Sequence, residues 1–357
     1  MTQKLILPGL IDPHVHLRDP GQTQKEDFYT GTCAALAGGF TTILDMPNNL
    51  TPITTAERLD EKIKIAKGKI VCDVGFHFGS MGDNVDEFKE VGQKVIGLKL
   101  YLSLTTGGFV IPKGKVEKVF RVWSKRKVIL LHAEDDTLDF AINLAKEHRN
   151  KIHICHISTA SDLKQIIKAK EEGLRITCGV TPHHLFLTDQ DVKRLGPFGK
   201  MKPKLTSKKD QAFLWKNLKF IDVVESDHAP HTKEEKESNN PPFGVPGLET
   251  TLPLLLTAVS EKRLTIDDII RLCHTNPAKI FGINRFNDLN HQSRVEVDLS
   301  QEYTIENKNL FTKCEWSPFE GFKVKGKVLR VFIRGKKVFE NGKILAKAGF
   351  GQIIKPD

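Results

Sequence analysis

The feature that most limits the fold is a rhythm. Eight short runs rich in Val and Ile alternate with longer amphipathic stretches through the first two-thirds of the 357 residues. In order they are LPGLIDPHVHL near residue 10, TTILDMPN at 41–48, IVCDVGFHFG at 70–79, VIGLKLYL at 95–102, VILLHAED at 128–135, KIHICHIS at 151–158, LRITCGVTPHH at 174–184 and FIDVVESDHAPH at 220–231. Runs of this composition read as strands. Between them, TAERLDEKIKIAKGK and TASDLKQIIKAKEEG read as helices, the second opening on Ser/Thr residues suited to an N-cap and ending at Gly173. Strands alternating with helices pair in parallel, and eight such units predict an α/β fold closed into a (β/α)8 barrel over 8–289. After about residue 245 the rhythm changes. GLETTLPLLLTAVSEKR and TIDDIIRLCHTNPAKIFG read as two helices, and from about 293 short alternating strands appear, with Asn341-Gly342 a good hairpin turn. A small β-module over 290–357, joined by residues 1–7, is expected there.

Composition narrows the function. Apolar residues are 39% and charged residues 27%, which suits a large packed core and excludes an intrinsically disordered chain. The net charge of +10 comes from Lys spread along the chain, a solvated surface with mild attraction for anionic small molecules. No Lys/Arg block is interleaved with aromatics, so no nucleic-acid partner is expected. The six cysteines lie apart in apolar runs without a C-x-x-C pair, as in a reduced, cytoplasmic protein. No signal peptide and no apolar run of 18 residues is seen, so no membrane is expected.

The chemistry collects in the histidines. Ten of thirteen lie on or just after the eight strands: His14, His16, His77, His132, His153, His156, His183, His184, His228 and His231. Barrel strands deliver their C-terminal ends to one face, where barrel enzymes build active sites. A lone histidine is most often structural, but a set converging on one mouth points to metal. In Asp12-Pro13-His14-Val15-His16-Leu17-Arg18, residues two apart share a strand face, so His14 and His16 can grip one ion and Arg18 continues that side. Its guanidinium fork matches a carboxylate.

IDPHVHLRDPG resembles the dihydroorotase family of the amidohydrolase superfamily, in the form found within the animal multifunctional pyrimidine-synthesis protein. Ser226-Asp227-His228-Ala229-Pro230-His231, with Lys236 five residues on, resembles the family's second signature. The likeness runs from about residue 8 to the C-terminus through MPNN, GLKLYL, HAE, HICH, PHHLF and PGLET. Two departures stand out. Glu225 replaces the small residue usual before Ser-Asp, with an expected effect on packing rather than chemistry. The longer N-terminal β-segment common in the superfamily is largely missing.

The resemblance implies a binuclear zinc site. His14, His16 and Asp227 would hold one ion and His132 and His156 the other, bridged by Lys99 as a carbamate made with carbon dioxide. A bare lysine at that strand position is costly to bury, though a lysine snorkelling to the mouth is the plainer alternative. Asp227 would be both ligand and catalytic acid–base, against the plainer reading of a helix cap. His153 is expected to face away from the chemistry and to be structural, because three is an odd spacing from His156. His183 and His184 are expected to support the ligands. Cys155 and Cys178 fit as small buried apolar residues. Some animal relatives add a third metal through an acidic residue after Thr-Cys; Gly179 stands there, so none is expected.

The implied reaction is the reversible cyclisation of N-carbamoyl-L-aspartate to L-dihydroorotate in pyrimidine synthesis, with a metal-activated hydroxide attacking a cyclic amide. Arg18, Asn48 and His231 match the family's carboxylate-binding positions. Thr105 and Thr106, followed by Gly107-Gly108, resemble a loop that closes over substrate, though an ordinary flexible loop reads the same way. Pro246 and Gly247 offer backbone contacts to the ring. Hydantoinases, dihydropyrimidinases and allantoinases are the rivals within the fold. A non-catalytic partner protein built on a dead barrel is a rival of another class. A homodimer and an association with aspartate transcarbamoylase are left open.

Overall fold

In a computed structural model, described over residues 3–105, 108–283 and 292–356, all eight runs become strands of one parallel sheet in chain order. After an outer strand β1 (Lys4–Pro8) come β2 (Leu10–Val15), β3 (Phe40–Asp45), β4 (Asp73–Gly79), β5 (Gly97–Tyr101), β6 (Val128–His132), β7 (Lys151–Ile154), β8 (Ile176–Val180) and β9 (Val223–Val224). The ring closes where Val15 bridges His228 and the His16 N–H donates to the His228 carbonyl at 2.8 Å. The last strand is only two residues long, because the chain turns out of the sheet where Asp227 takes a φ of 45°.

Local sequence explains the connections. Thr55 caps helix Ala56–Lys67 by accepting the Arg58 N–H, and Thr159 caps Ala160–Glu171 by accepting the Asp162 N–H. Gly75 leaves the barrel floor open: a Cβ there would lie 2.7–2.9 Å from Leu44, Ile354 and Ile96. The C-terminal segment fills that space. The Val74 N–H donates to Gln352 and the Ile354 N–H to Val74, both at 2.9 Å, and Ile354 is fully buried.

The remaining strands, β10 (Arg294–Thr304), β11 (Lys323–Ile333), β12 (Lys336–Glu340) and β13 (Lys343–Ile344), join β1 in an antiparallel sheet ordered β1-β10-β11-β12-β13. Asn341 and Gly342 both have positive φ, 47° and 79°, as a two-residue hairpin turn of this hand requires. Helix Leu248–Ser260 packs on β11. The second expected helix runs from Ile266 to Phe281 but widens into a π-turn at Arg271–Thr275, just ahead of Pro277, which has no N–H to give. Among the described residues, no helix is long and apolar enough to cross a membrane.

Candidate active site

Four of the ten strand-end histidines reach one cavity at the barrel mouth. His14, His16, His132 and His156 line it together with Asp227, Arg18, Asn48 and Thr105. It holds about 350 Å³ including its open side, the lower end of the range for small-molecule sites.

Two histidines come from β2. Nε2 of His14 and of His16 lie 3.3 and 3.1 Å from the same oxygen of Asp227. Across the mouth, Nδ1 of His132 is 3.1 Å from Nε2 of His156. A tetrahedral ion with bonds of about 2.0–2.1 Å holds its nitrogen and oxygen ligands roughly 3.3 Å apart. Burial pushes the pKa of His14, His16 and His156 well below 6.5 and lowers that of His132. All four rings are thus neutral, with lone pairs to offer. Burial also raises the Asp227 carboxyl to about 7, against the pull of Lys99. Residue types, spacing and the neutral rings fit a divalent metal, which would hold Asp227 in its ionised form.

The far nitrogens are only partly provided for. Asn48 Oδ1 lies 2.6 Å from His16 Nδ1, so its amide oxygen fixes that ring. Buried Lys62 anchors the strand end before Asn48 through Asp45 at 2.7 Å, the Met46 carbonyl at 2.9 Å and Asn49 at 2.8 Å. By contrast His14 Nδ1, His132 Nε2 and His156 Nδ1 are buried without a well-formed hydrogen bond. Lys99 lies behind the cavity, fully buried, and donates to Cys155 Sγ at 3.0 Å. Cys155 and Cys178 are buried too.

Arg18 stands at the other side. β2 ends at Val15, so strand alternation does not carry Arg18 to the site as expected; a φ of 63° does. Its Nε donates to the Pro230 carbonyl at 3.2 Å, and a terminal nitrogen lies 3.2 Å from His231 Nε2. His231 itself is fully buried behind Arg18 rather than lining the cavity. Each of its ring nitrogens meets one donor and one acceptor. Nε2 has Arg18 and the Phe243 carbonyl at 3.0 Å; Nδ1 has Lys25 and Glu235, both at 3.3 Å. Burial, then the Arg18 charge, lowers His231 to about 3. Burial works to raise Glu235, but its bonds to His231 and Lys25 prevail and hold it at about 2.

Other expectations change. His153 does not face away: the strand ends at Ile154, His156 turns to the mouth through a φ of 38°, and His153 points at Glu225 from 3.4 Å. His184 bonds Thr181 Oγ1 at 2.7 Å and the Pro203 carbonyl at 3.1 Å, with His183 packed on its ring. The pair steadies the loop of Lys202 instead of a metal-facing ring. Pro246 and Gly247 line a separate small cavity with His228. Thr106 lies outside the described residues. Lys202, Phe243 and Gly244 line the mouth unannounced by any motif, Tyr101 comes with GLKLYL without a role having been read for it, and Lys25 joins behind the mouth. Buried Lys236 holds the Phe243–Gly244 segment by donating to the carbonyls of Lys200, Pro242 and Gly244 at 2.9–3.1 Å.

The amidohydrolase family model matches residues 5–338. The chain belongs to the amidohydrolase family. It is 44% identical over 99% of its length to the multifunctional protein CAD of Squalus acanthias, of which it spans only 16%. It is 39% identical to a dihydroorotase of Pyrococcus furiosus, covering 99% of this chain and 86% of that one. Among solved structures, an L-hydantoinase (dihydropyrimidinase) from Arthrobacter aurescens superposes with a TM-score of 0.94 at 26% identity, covering 99% of this amidohydrolase and 89% of that chain. The inactive dihydroorotase-like domain of a CAD-like protein from Chaetomium thermophilum gives 0.83 at 27% identity, covering 99% of each.

Proposed function

We propose that this amidohydrolase is a two-zinc dihydroorotase, interconverting L-dihydroorotate and N-carbamoyl-L-aspartate. One observation carries the reading: a cluster of neutral histidines around Asp227 shares its cavity with Arg18, a buried cation anchored by Pro230 and His231. A metal cluster alone suits any cyclic amide. The guanidinium beside it suits a ring that bears a carboxylate.

His14, His16 and Asp227 would hold one ion, His132 and His156 the other, and Lys99 as a carbamate both. Bound there, the ions would activate water and polarise the ring carbonyl. Asp227 takes a proton from the attacking water and returns it to the leaving ring nitrogen. Arg18 binds the substrate carboxylate, with the Asn48 amide nitrogen as a further donor. His231 acts through Arg18. Thr105, which lines the cavity, would meet the ring. The barrel takes in 8–289 and the β-module 1–7 with 290–357. The reading includes a cytoplasmic location and leaves open a homodimer and an association with aspartate transcarbamoylase.

The close superposition on a hydantoinase favours a second reading, hydrolysis of uncharged cyclic imides. Turnover of dihydroorotate, hydantoin and allantoin by zinc-loaded protein separates the readings. Preference for dihydroorotate is expected; preference for hydantoin reverses the assignment, and no turnover with two zincs bound places the chain beside the inactive relative.

A further inference from the structure

We infer that Glu225 is a positioning residue for both halves of the metal site, holding the His14 ring and the His156 backbone from inside the barrel wall. The inference rests on the two-metal reading above.

Glu225 comes directly after β9 and is fully buried, two residues before Asp227. Its Oε2 lies 3.5 Å from His14 Nδ1 and 3.4 Å from His153 Nε2. His14 thus stands between two carboxylates of one strand end, Asp227 on Nε2 and Glu225 on Nδ1. For Nε2 to offer a lone pair to a metal, the ring proton must sit on Nδ1, and Glu225 is the acceptor placed for it. The distance is long for a hydrogen bond, as such contacts often are before a ligand fixes the ring. A carboxylate behind a ligating histidine sets its tautomer and raises its basicity.

The second contact is to the backbone. Glu225 Oε1 accepts the His156 N–H at 2.5 Å. His156 has a φ of 38°, a conformation that is unfavourable for a non-glycine residue and persists only where its surroundings impose it. That turn delivers the His156 ring to His132, so one carboxylate fixes a ring on one side of the mouth and a strained backbone on the other.

The neighbouring strand is shaped around this group. A Cβ at Gly179 would lie 2.4 Å from Oε1 and 2.5 Å from Cδ of Glu225. Gly179 lies within β8, where glycine weakens a strand unless something approaches closely. The carboxylate is what approaches.

The test uses metal-free full chain titrated with Co2+, in wild type, Glu225→Ala, Glu225→Gln, Gly179→Ala and the Glu225→Ala/Gly179→Ala double variant. Affinity, stoichiometry and the cobalt visible spectrum are read, with metal-free melting temperature alongside. Wild type should bind two equivalents. Glu225→Ala should weaken cobalt binding by about 10–100-fold and alter the spectrum, the scale for losing a partner of a ligating histidine. Gly179→Ala should act in the same direction, yet add nothing in the Glu225→Ala background, where its steric target is gone. If Glu225→Ala fails to fold, Glu225→Gln, of equal volume, decides by the same measures. Unchanged affinity and spectrum in a folded variant would overturn the inference. So would a third equivalent in wild type that Glu225→Ala loses, because Glu225 would then be a ligand itself. A wild type that binds no cobalt overturns the two-metal reading and this inference with it.

Discussion

The two sides of the barrel mouth treat polar atoms in opposite ways. On the histidine side, His14 Nδ1, His132 Nε2 and His156 Nδ1 are buried without good partners, while their opposite nitrogens face each other or Asp227 at 3.1–3.3 Å. On the Arg18 side, His231 has a donor and an acceptor for each ring nitrogen, so either tautomer is fully bonded. Unpaired buried polar atoms cost free energy, so each calls for a physical reason. The first side has the residue types and spacing to hold an ion. The second is hydrogen-bonded throughout, with Arg18 held by the Pro230 carbonyl and His231. The difference teaches that position at the mouth does not make a histidine a ligand: both nitrogens of His231 are engaged, whereas the other rings turn a nitrogen toward one another or toward Asp227.

The comparison breaks most sharply at the metal side. Lys99→Ala should lose at least one bound zinc and several kcal/mol of rate enhancement, on the order of 10³-fold in kcat. Partial recovery with added short carboxylic acids would identify the missing group as a carboxylate. Two zincs and ordinary turnover in the variant would remove Lys99 from the site. Asp227→Asn keeps the shape and removes the proton acceptor. Its kcat should fall on the order of 10²-fold or more. Unchanged turnover would assign proton transfer to another group.

Arg18→Met tests the other side. Leaving the substrate carboxylate without its charge-assisted bonds should cost about 2 kcal/mol, roughly thirty-fold in kcat/KM for dihydroorotate. Zinc content should stay at two per chain, and slow hydrolysis of an uncharged imide should fall much less. Equal losses on both substrates would mean that Arg18 supports the metal side, and that the two sides are one.

How far the sequence spoke also divides along these lines. All eight strands were legible, because buried parallel strands need unbroken Val/Ile runs whatever their neighbours. The His-x-His pair was legible because β2 reaches almost to His16, so period-two alternation still held. Alternation failed where strands stop early. His153, Arg18 and His156 were misread or reached the site for another reason, since positive φ at Arg18 and His156 redirects the chain beyond the strand ends. Lys25, Lys62 and Lys202 left no trace, because a lysine in a polar loop or on an amphipathic helix looks the same whether it is solvated or buried against a partner. Nor did the docking of Ile354 under Gly75, a contact between residues nearly three hundred positions apart. Glu225 was legible as an anomaly, but only the surrounding atoms give it a task.

The smallest effect concerns His231 and the claim that the Arg18 side is neutral at its junction. The folded pKa of about 3 lies below the unfolded value of about 6.5. A depressed histidine binds its proton more readily in the unfolded chain, so the stability it allows is fully present above pH 6.5 and is lost as pH falls from there toward 3. At pH 5.5 the unfolded chain gains about 1.4 kcal/mol from protonating this one residue, and almost nothing at pH 8. Glu235 does not blur the window, because its own proton uptake lies between its unfolded value of 4.5 and about 2. Urea unfolding of metal-free wild type and His231→Gln, at several pH values from 8 to 5.5, isolates the residue: other buried histidines are common to both proteins and cancel. Wild type should lose about 1.4 kcal/mol more than the variant across that range. Parallel curves would mean that His231 takes up its proton as readily in the folded chain as in the unfolded one. Arg18 would then face a second cation rather than a neutral acceptor, and the contrast between an unfilled metal side and a completed anion side would fail at its own hinge.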